Sequence, residues 1–452
     1  MTDRVDVAVV GAGLSGLTAA HLASRAGLEV AVLEARDRVG GRTFTTDVGG
    51  ARLDLGGQWI GGTQHRVAAL ADALGLETFA QYHQGEKVLE HEGRTSTYRG
   101  TIPSLPMLAL AQLQAGLLSL RLHAQREVLS SLADDTTLAD WLEERKVRDD
   151  VRGVITAGMR TVFGADPDET SWREFLGYVR AAGGVMPLLE IEDAAQERRF
   201  VDGAQSLSLR LADQLGPVVA LGAPVRRINV VSGGVEVEAD GTSVRARRTV
   251  VAVPPRLAAE IAYDPGLPAG KRRWLEGSPM GRTIKCLLTY DRPFWRDAGL
   301  SGEAVSTAGP ISVTFDATTA DGRVPALVAF VVGRPADALR GAGRQGRRQA
   351  VVDHLADLFG DDARDVVDYA DRDWSEEPWS GGCPVALPAP GVEVATVDPR
   401  EPVGPIHWAG TETATAWSGY LEGAIEAGQR AGREVVAALR GTSETGGAEV
   451  VR

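Results

Sequence analysis

The stretch Val5-Asp-Val-Ala-Val-Val10-Gly11-Ala-Gly13-Leu-Ser15-Gly16-Leu-Thr-Ala-Ala20 decides the fold. An apolar run meets a glycine turn and passes into an alanine-rich helical pattern that reaches about Arg25, with Gly27 as its stop. A second apolar run, Glu29 to Leu33, follows and ends on Glu34. Strand, helix and parallel strand make one βαβ unit. In it Gly11 permits the tight turn, Gly13 lets the backbone approach a pyrophosphate, and Gly16 lets helix and strand pack closely. Glu34, 18 residues after Gly16, can accept hydrogen bonds from a ribose hydroxyl, and the helix N-terminus faces the phosphates. A lone GxGxxG is a weak signal, and a glycine turn can be merely structural. The flanking strand and helix, with the acid at the right distance, favour dinucleotide binding.

Working outward, 452 residues provide roughly three domains' worth of chain, or two large ones sharing an interface. The 44% hydrophobic and 24% charged composition excludes disorder, collagen-like repeats and a coiled coil. A net charge of −13 supplies no basic field, so nucleic acid is not an expected partner. Cys286 and Cys383 lie far apart and form no zinc-ligand spacing or disulfide framework, and the seven histidines form no HxxxH, so no metal is assigned. Without a signal peptide or an apolar run near ~20 residues, the expectation is a cytoplasmic protein with no membrane span. The lysines are only Lys87, Lys146, Lys271 and Lys285, which makes each worth inspecting.

Residues Pro103 to Leu132 have helical spacing, as do Ala133 to Arg148, Val151 to Thr161 and Ser171 to Ala182, which suggests a helical insertion. From Val218 to Val253, short β-branched runs broken by Gly233-Gly234 and Asp240-Gly241 read as a hairpin meander ending in strand Thr249 to Val253. Strand-like stretches recur at Thr283 to Tyr290, Ile311 to Phe315 and Ala326 to Val332. Helices are expected from about Arg347 to Phe359 and from Tyr420 to Leu439, the latter with a small-residue face. Lys285 stands out as a charge inside a strand pattern, costly to bury without a partner; taken alone it also reads as an exposed lysine on an edge strand.

The residues after Glu34, namely Ala35-Arg36-Asp-Arg-Val-Gly40-Gly41-Arg42, and the later Gly56-Gly57-Gln58-Trp59, resemble the flavin-containing monoamine oxidase family. So do Gly281-Arg-Thr-Ile-Lys285-Cys286, Trp374-Ser-Glu-Glu-Pro-Trp379-Ser-Gly-Gly-Cys383, and Trp408-Ala-Gly410-Thr-Glu412 leading to Trp417-Ser-Gly-Tyr420-Leu421. The similarity runs from Val5 to about Val435. It implies an α/β, two-domain flavin amine oxidase fold: a doubly wound FAD-binding domain and a mixed-sheet substrate domain with a helical insertion. The expected FAD-binding segments are 1–80, 201–282 and 386–440, the substrate segments 81–200 and 283–385, with a flexible tail at 441–452.

The resemblance implies FAD contacts from Gly11, Gly13, Ser15, Gly16, Glu34, Ala35, Arg36, Gly41, Arg42, Gly57, Gln58 and Trp59. Further contacts are implied for Val225, Trp374, Trp379, Cys383, Gly410, Glu412, Tyr420 and Leu421. Lys285 is expected to hold a water against the flavin, and Tyr420 to form one wall of an aromatic cage, where a core tyrosine is the competing reading. Pro384 stands where a second cage tyrosine is expected, leaving the cage half-built unless Trp379 or Trp417 fills it. Cys383 sits where the family attaches flavin through a thioether, although cysteine is also a common small buried residue, and both readings stand. Leu189, Gln196, Val313 and Pro384 are implied to line the substrate pocket. Val313 replaces a bulky aromatic gate and suggests room for longer or wider amines.

The function implied is oxidation of a primary (aryl)alkyl amine or diamine to imine and aldehyde by hydride transfer to flavin N5, with O2 reduced to hydrogen peroxide. A homodimer is one arrangement compatible with it. The family's membrane-anchoring C-terminal helix is expected to be absent. An L-amino-acid oxidase, a flavin dehydrogenase acting on a secondary amine, and a flavin-binding scaffold without catalysis are the alternatives.

Overall fold

The computed structural model describes residues 4–100, 112, 116, 135–394 and 397–445. Two large sheets dominate. In the eight-stranded first sheet, Arg4–Val10 is the axis: it pairs in parallel with Val30–Leu33 on one side and Thr242–Val251 on the other. Val219–Ala220 extends one edge, while Gly234–Ala239, Val225–Val231 and Ala262–Asp264 extend the other, and Ile406–Trp408 joins Thr242–Val251 in parallel. The expected strand Thr249 to Val253 is the end of one ten-residue strand of the meander, which stops at Val251. Helix Leu14–Arg25 follows the glycine turn and buries Leu17, Ala20 and Ala23 against helices Ser206–Leu215 and Leu421–Thr445. The start of this helix also lies close against the turn and the neighbouring strand, an approach that needs small residues. A Cβ on Gly16 would lie 2.0 Å from the Gly11 carbonyl oxygen.

The second sheet runs in the order Asp368–Asp373, Thr283–Thr289, Ala326–Val332, Val313–Asp316, Leu300–Ser306, Glu86–His91 and Arg94–Tyr98. Thr283–Thr289 is buried at every residue, because both of its faces are covered. Ile284, Cys286 and Leu288 pack with helix Gly343–Phe359, whereas Leu287 packs with Val48 and Leu53 of the hairpin Thr45–Asp54 and with Leu55 just after it. Lys285 shares the face of Leu287. The edge-strand reading of this lysine is therefore wrong, since its strand has neighbours on both sides.

Three helices, Leu138–Glu144, Asp149–Phe163 and Trp172–Ala181, form an aromatic-rich cluster with Trp141, Phe163, Trp172, Phe175 and Tyr178 at its centre. The helix expected over 103–132 lies almost wholly outside the described residues. The last helix continues to Thr445, past the expected start of the tail at 441. A single glycine at 441 costs only about 1 kcal/mol, and no proline intervenes. No described helix is long and apolar enough to cross a membrane.

Candidate active site

A cavity of about 410 Å³ lies between the two sheets. At the first sheet it meets the glycine turn, where Gly11 has φ +100° and the position of a Gly13 Cβ has no atom within 4 Å. Helix Leu14–Arg25 begins there with no side-chain cap and no acid in its first turn. Its first N–H groups and the positive end of its dipole are thus free for an anion. The Ser15 hydroxyl accepts from the Gly410 N–H (2.9 Å), tying the far C-terminal segment to this turn.

Glu34, only 3% exposed, accepts from the Ala12 N–H (2.7 Å) and the Arg36 N–H (2.9 Å). Arg36 pairs with Glu34 (3.5 Å) and Glu377 (3.3 Å) and donates to the Ser380 hydroxyl (2.7 Å). Ala35, Gly41 and Val225 complete this part of the wall. Arg42 grips Glu412 through two hydrogen bonds (2.6 and 3.0 Å) and donates to the Pro384 carbonyl (2.7 Å). Glu412 and Gly16 stand behind the wall rather than in it: one fixes Arg42, the other lets the helix approach.

Lys285 is 2% exposed and lines the cavity. Its ammonium donates to the Gly56 carbonyl (2.8 Å) and to Gln58 Oε1. It lies 5.5 Å from the Phe330 ring and 5.8 Å from the Trp59 ring. Burial pushes its pKa down to about 7; Arg199 acts the same way, and Asp54 and Cys383 oppose it. A lysine that exchanges its proton near neutrality is equipped for proton transfer.

Of the two cysteines, Cys383 lines the cavity among the described residues, and Cys286 is core. Burial pushes the Cys383 thiol up to about 11, with the Arg42 and Lys285 cations pulling against it. Gly57, Leu421 and Gly410 also line the cavity. Trp374 is anchored by its Nε1–H to the Leu55 carbonyl (2.9 Å).

Tyr420 lines the cavity with Pro384, Gln196 and Val313. The aromatic rings against it are Trp417 (5.0 Å, edge-on) and Tyr178 (6.4 Å), whose hydroxyl shares a hydrogen bond with that of Tyr420. Trp379 also lines the cavity, with Arg226 over its ring at 5.6 Å. Tyr178, which the sequence reading missed, is the residue that lines the cavity beside Tyr420. Leu189 ends the short helix Met186–Leu189, and its neighbour Leu188 is in the wall. Phe315 and Phe330 were also missed; both face the cavity and keep it aromatic despite the small Val313.

A helix end with free N–H groups, open glycines and a buried lysine in one cavity wall together fit a site for a phosphate-bearing redox cofactor. Residues 14–436 match the family described as flavin containing amine oxidoreductase, and the chain belongs to that family. It is 40% identical over 450 residues to "Putative flavin-containing monoamine oxidase AofH" of Mycobacterium tuberculosis, covering 96% of this chain and 97% of the relative. Solved structures of putrescine oxidase bound to putrescine and of cyclohexylamine oxidase from Brevibacterium oxydans IH-35A each superpose with a TM-score of 0.91. Both are 33% identical and cover 96% of this chain; the first is covered over 99% of its own length, as is the second. The protein is a flavin-containing amine oxidase acting on small-molecule amines.

Proposed function

We propose that the bound flavin is FAD, that the substrate is a primary (aryl)alkyl amine or diamine, and that O2 is the electron acceptor, reduced to hydrogen peroxide. When bound, the flavin takes up a hydride from the amine's α-carbon, leaving an imine that water converts to aldehyde and ammonia. The observation that carries this reading is Lys285: a buried amine titrating near neutrality, in the same cavity wall as Tyr420 and among Phe330, Phe315 and Val313.

The glycine turn and the uncapped helix would hold the diphosphate, Glu34 the ribose, and Val225 and Trp379 the wall beside it. Tyr420 and Tyr178 present ring surface to the substrate nitrogen. The aromatic wall excludes water and favours the uncharged amine that can surrender hydride. Lys285 holds a proton, or a water, where oxygen must be protonated. We further propose that Cys383 would be joined to the flavin as a thioether, its sulfur replacing one hydrogen of the 8α-methyl group, with the thiol and methyl protons lost and the two electrons passing through the flavin to O2; its place in the cavity wall supports this, as do the Arg42 and Lys285 cations, which offset part of the burial that holds the thiol up.

An amino-acid oxidase needs a free cation next to the reacting carbon to clamp a carboxylate. The arginines in the described wall are already engaged: Arg36 with Glu34 and Glu377, Arg42 with Glu412, Arg226 with Asp240. This favours amines without a carboxylate. Peroxide release measured across alkylamines, arylalkylamines, diamines, secondary amines and L-amino acids tests the reading. Turnover confined to L-amino acids, or to secondary amines with an acceptor other than O2, replaces it with the corresponding alternative.

A further inference from the structure

The cavity does not end at the apolar pocket. Along the second sheet Lys285 stands opposite Phe330, Phe330 opposite Val313, and Val313 opposite Val305, and all four line the cavity. Residues directly opposite share a face, so this row is a ruler leading away from Lys285. Two residues before Val305 comes Glu303; on the next strand come Lys87 and, opposite it, Tyr98. All three line the far end of the same cavity. Three strand spacings of ~4.8 Å and two residue rises of ~3.3 Å put the Glu303 backbone roughly 16 Å from that of Lys285.

Glu303 is 8% exposed, and its two carboxylate oxygens are used unequally. Oε2 pairs with Lys87 Nζ at 2.8 Å, whereas Oε1 is buried without a hydrogen-bond partner. A buried carboxylate oxygen left unpaired is costly unless something outside the protein satisfies it. Lys87 does not neutralise the cluster, because Glu190 also approaches it and is in turn repelled by Glu303 and Glu192. His83 is the other basic group near Glu303. Two carboxylates thus share one ammonium, with His83 nearby, at the end of the cavity away from Lys285.

We propose that this end of the cavity is a second cation-binding subsite, in which Glu303 Oε1 accepts from a protonated nitrogen on the substrate. It rests on the amine-oxidising reading above and narrows it. Allowing about 5 Å for the glutamate side chain, the second nitrogen lies of order 10 Å from the oxidised carbon. A four-carbon diamine spans only roughly 6 Å at about 1.5 Å per bond with its zigzag, so the fitting substrates are longer diamines, near eight carbons, or polyamines of that reach.

The test titrates α,ω-diamines of four to twelve carbons, and n-alkylamines of matched length, into the dithionite-reduced holoenzyme by calorimetry, where no turnover occurs. The ratio of monoamine to diamine Kd is expected to peak near eight carbons at about tenfold or more, the size of one charge-assisted hydrogen bond. Glu303→Gln is expected to flatten that peak. A ratio that does not vary with length, or that Glu303→Gln leaves in place, overturns the subsite; if the variant does not fold, the wild-type length series decides alone. Turnover of octylamine by the oxidised enzyme is read in parallel. If it fails while the length peak stands, the oxidation reading falls and the subsite survives.

Discussion

Replacing Lys285 by methionine removes one charge from the cavity while keeping an unbranched side chain of similar length. Burial holds the lysine pKa at about 7. A lysine with a lowered pKa is charged below that value and neutral above it, so about nine in ten molecules are protonated at pH 6 and about one in ten at pH 8. If the charged form serves oxygen as it gains electrons, the attraction at ~5 Å and an effective dielectric of about 20 is roughly 3 kcal/mol, a rate factor of order 10². Stopped-flow mixing of the reduced protein with oxygenated buffer reads this rate directly. Wild-type reoxidation should be about ninefold faster at pH 6 than at pH 8, with its midpoint near 7. Lys285→Met should be flat over that range, about 100-fold slower than wild type at pH 6 and about tenfold slower at pH 8. A variant reoxidising at the wild-type rate, or one that retains the inflection near pH 7, refutes the role assigned to this lysine.

Acid precipitation should leave the flavin with the wild-type protein and release it to the supernatant from Cys383→Ala; release from both removes the thioether. Glu412→Gln deprives Arg42 of a buried carboxylate held by two hydrogen bonds, and a loss of the order of ~3 kcal/mol should appear as flavin release at lower urea concentration. In Gly16→Ala the new Cβ would sit 2.0 Å from the Gly11 carbonyl oxygen, so the helix must shift away from the turn. That variant should purify with little flavin absorbance, and a fully yellow protein would show that the close packing is dispensable.

The end of the cavity at the glycine turn was legible because its constraints are local. A turn at φ +100°, a close helix contact and an acid bonded to the backbone of Ala12 fall within thirty-odd consecutive residues, and each demands a residue type. Lys285 was legible for the opposite reason, as a charge where the strand pattern demands none, although its burial on both sides shows only in three dimensions. The far end of the cavity was not legible. Glu86–His91 and Leu300–Ser306 pair with each other across more than two hundred residues, and Lys87 and Glu303 give their strands a polar look that hides them. Tyr178 sits on helix Trp172–Ala181, where an aromatic reads as core. Only its meeting with Tyr420, from a segment far along the chain, assigns it to the site.

The central claim is that this cavity brings an amine's α-carbon to the flavin without a carboxylate anchor. Anaerobic mixing of the purified yellow protein with benzylamine, octylamine, 1,8-diaminooctane and a set of L-amino acids, following loss of flavin absorbance, tests it in a single turnover. Bleaching by the amines and not by the amino acids is the predicted result. Bleaching by L-amino acids alone, or by none of these compounds, would contradict it.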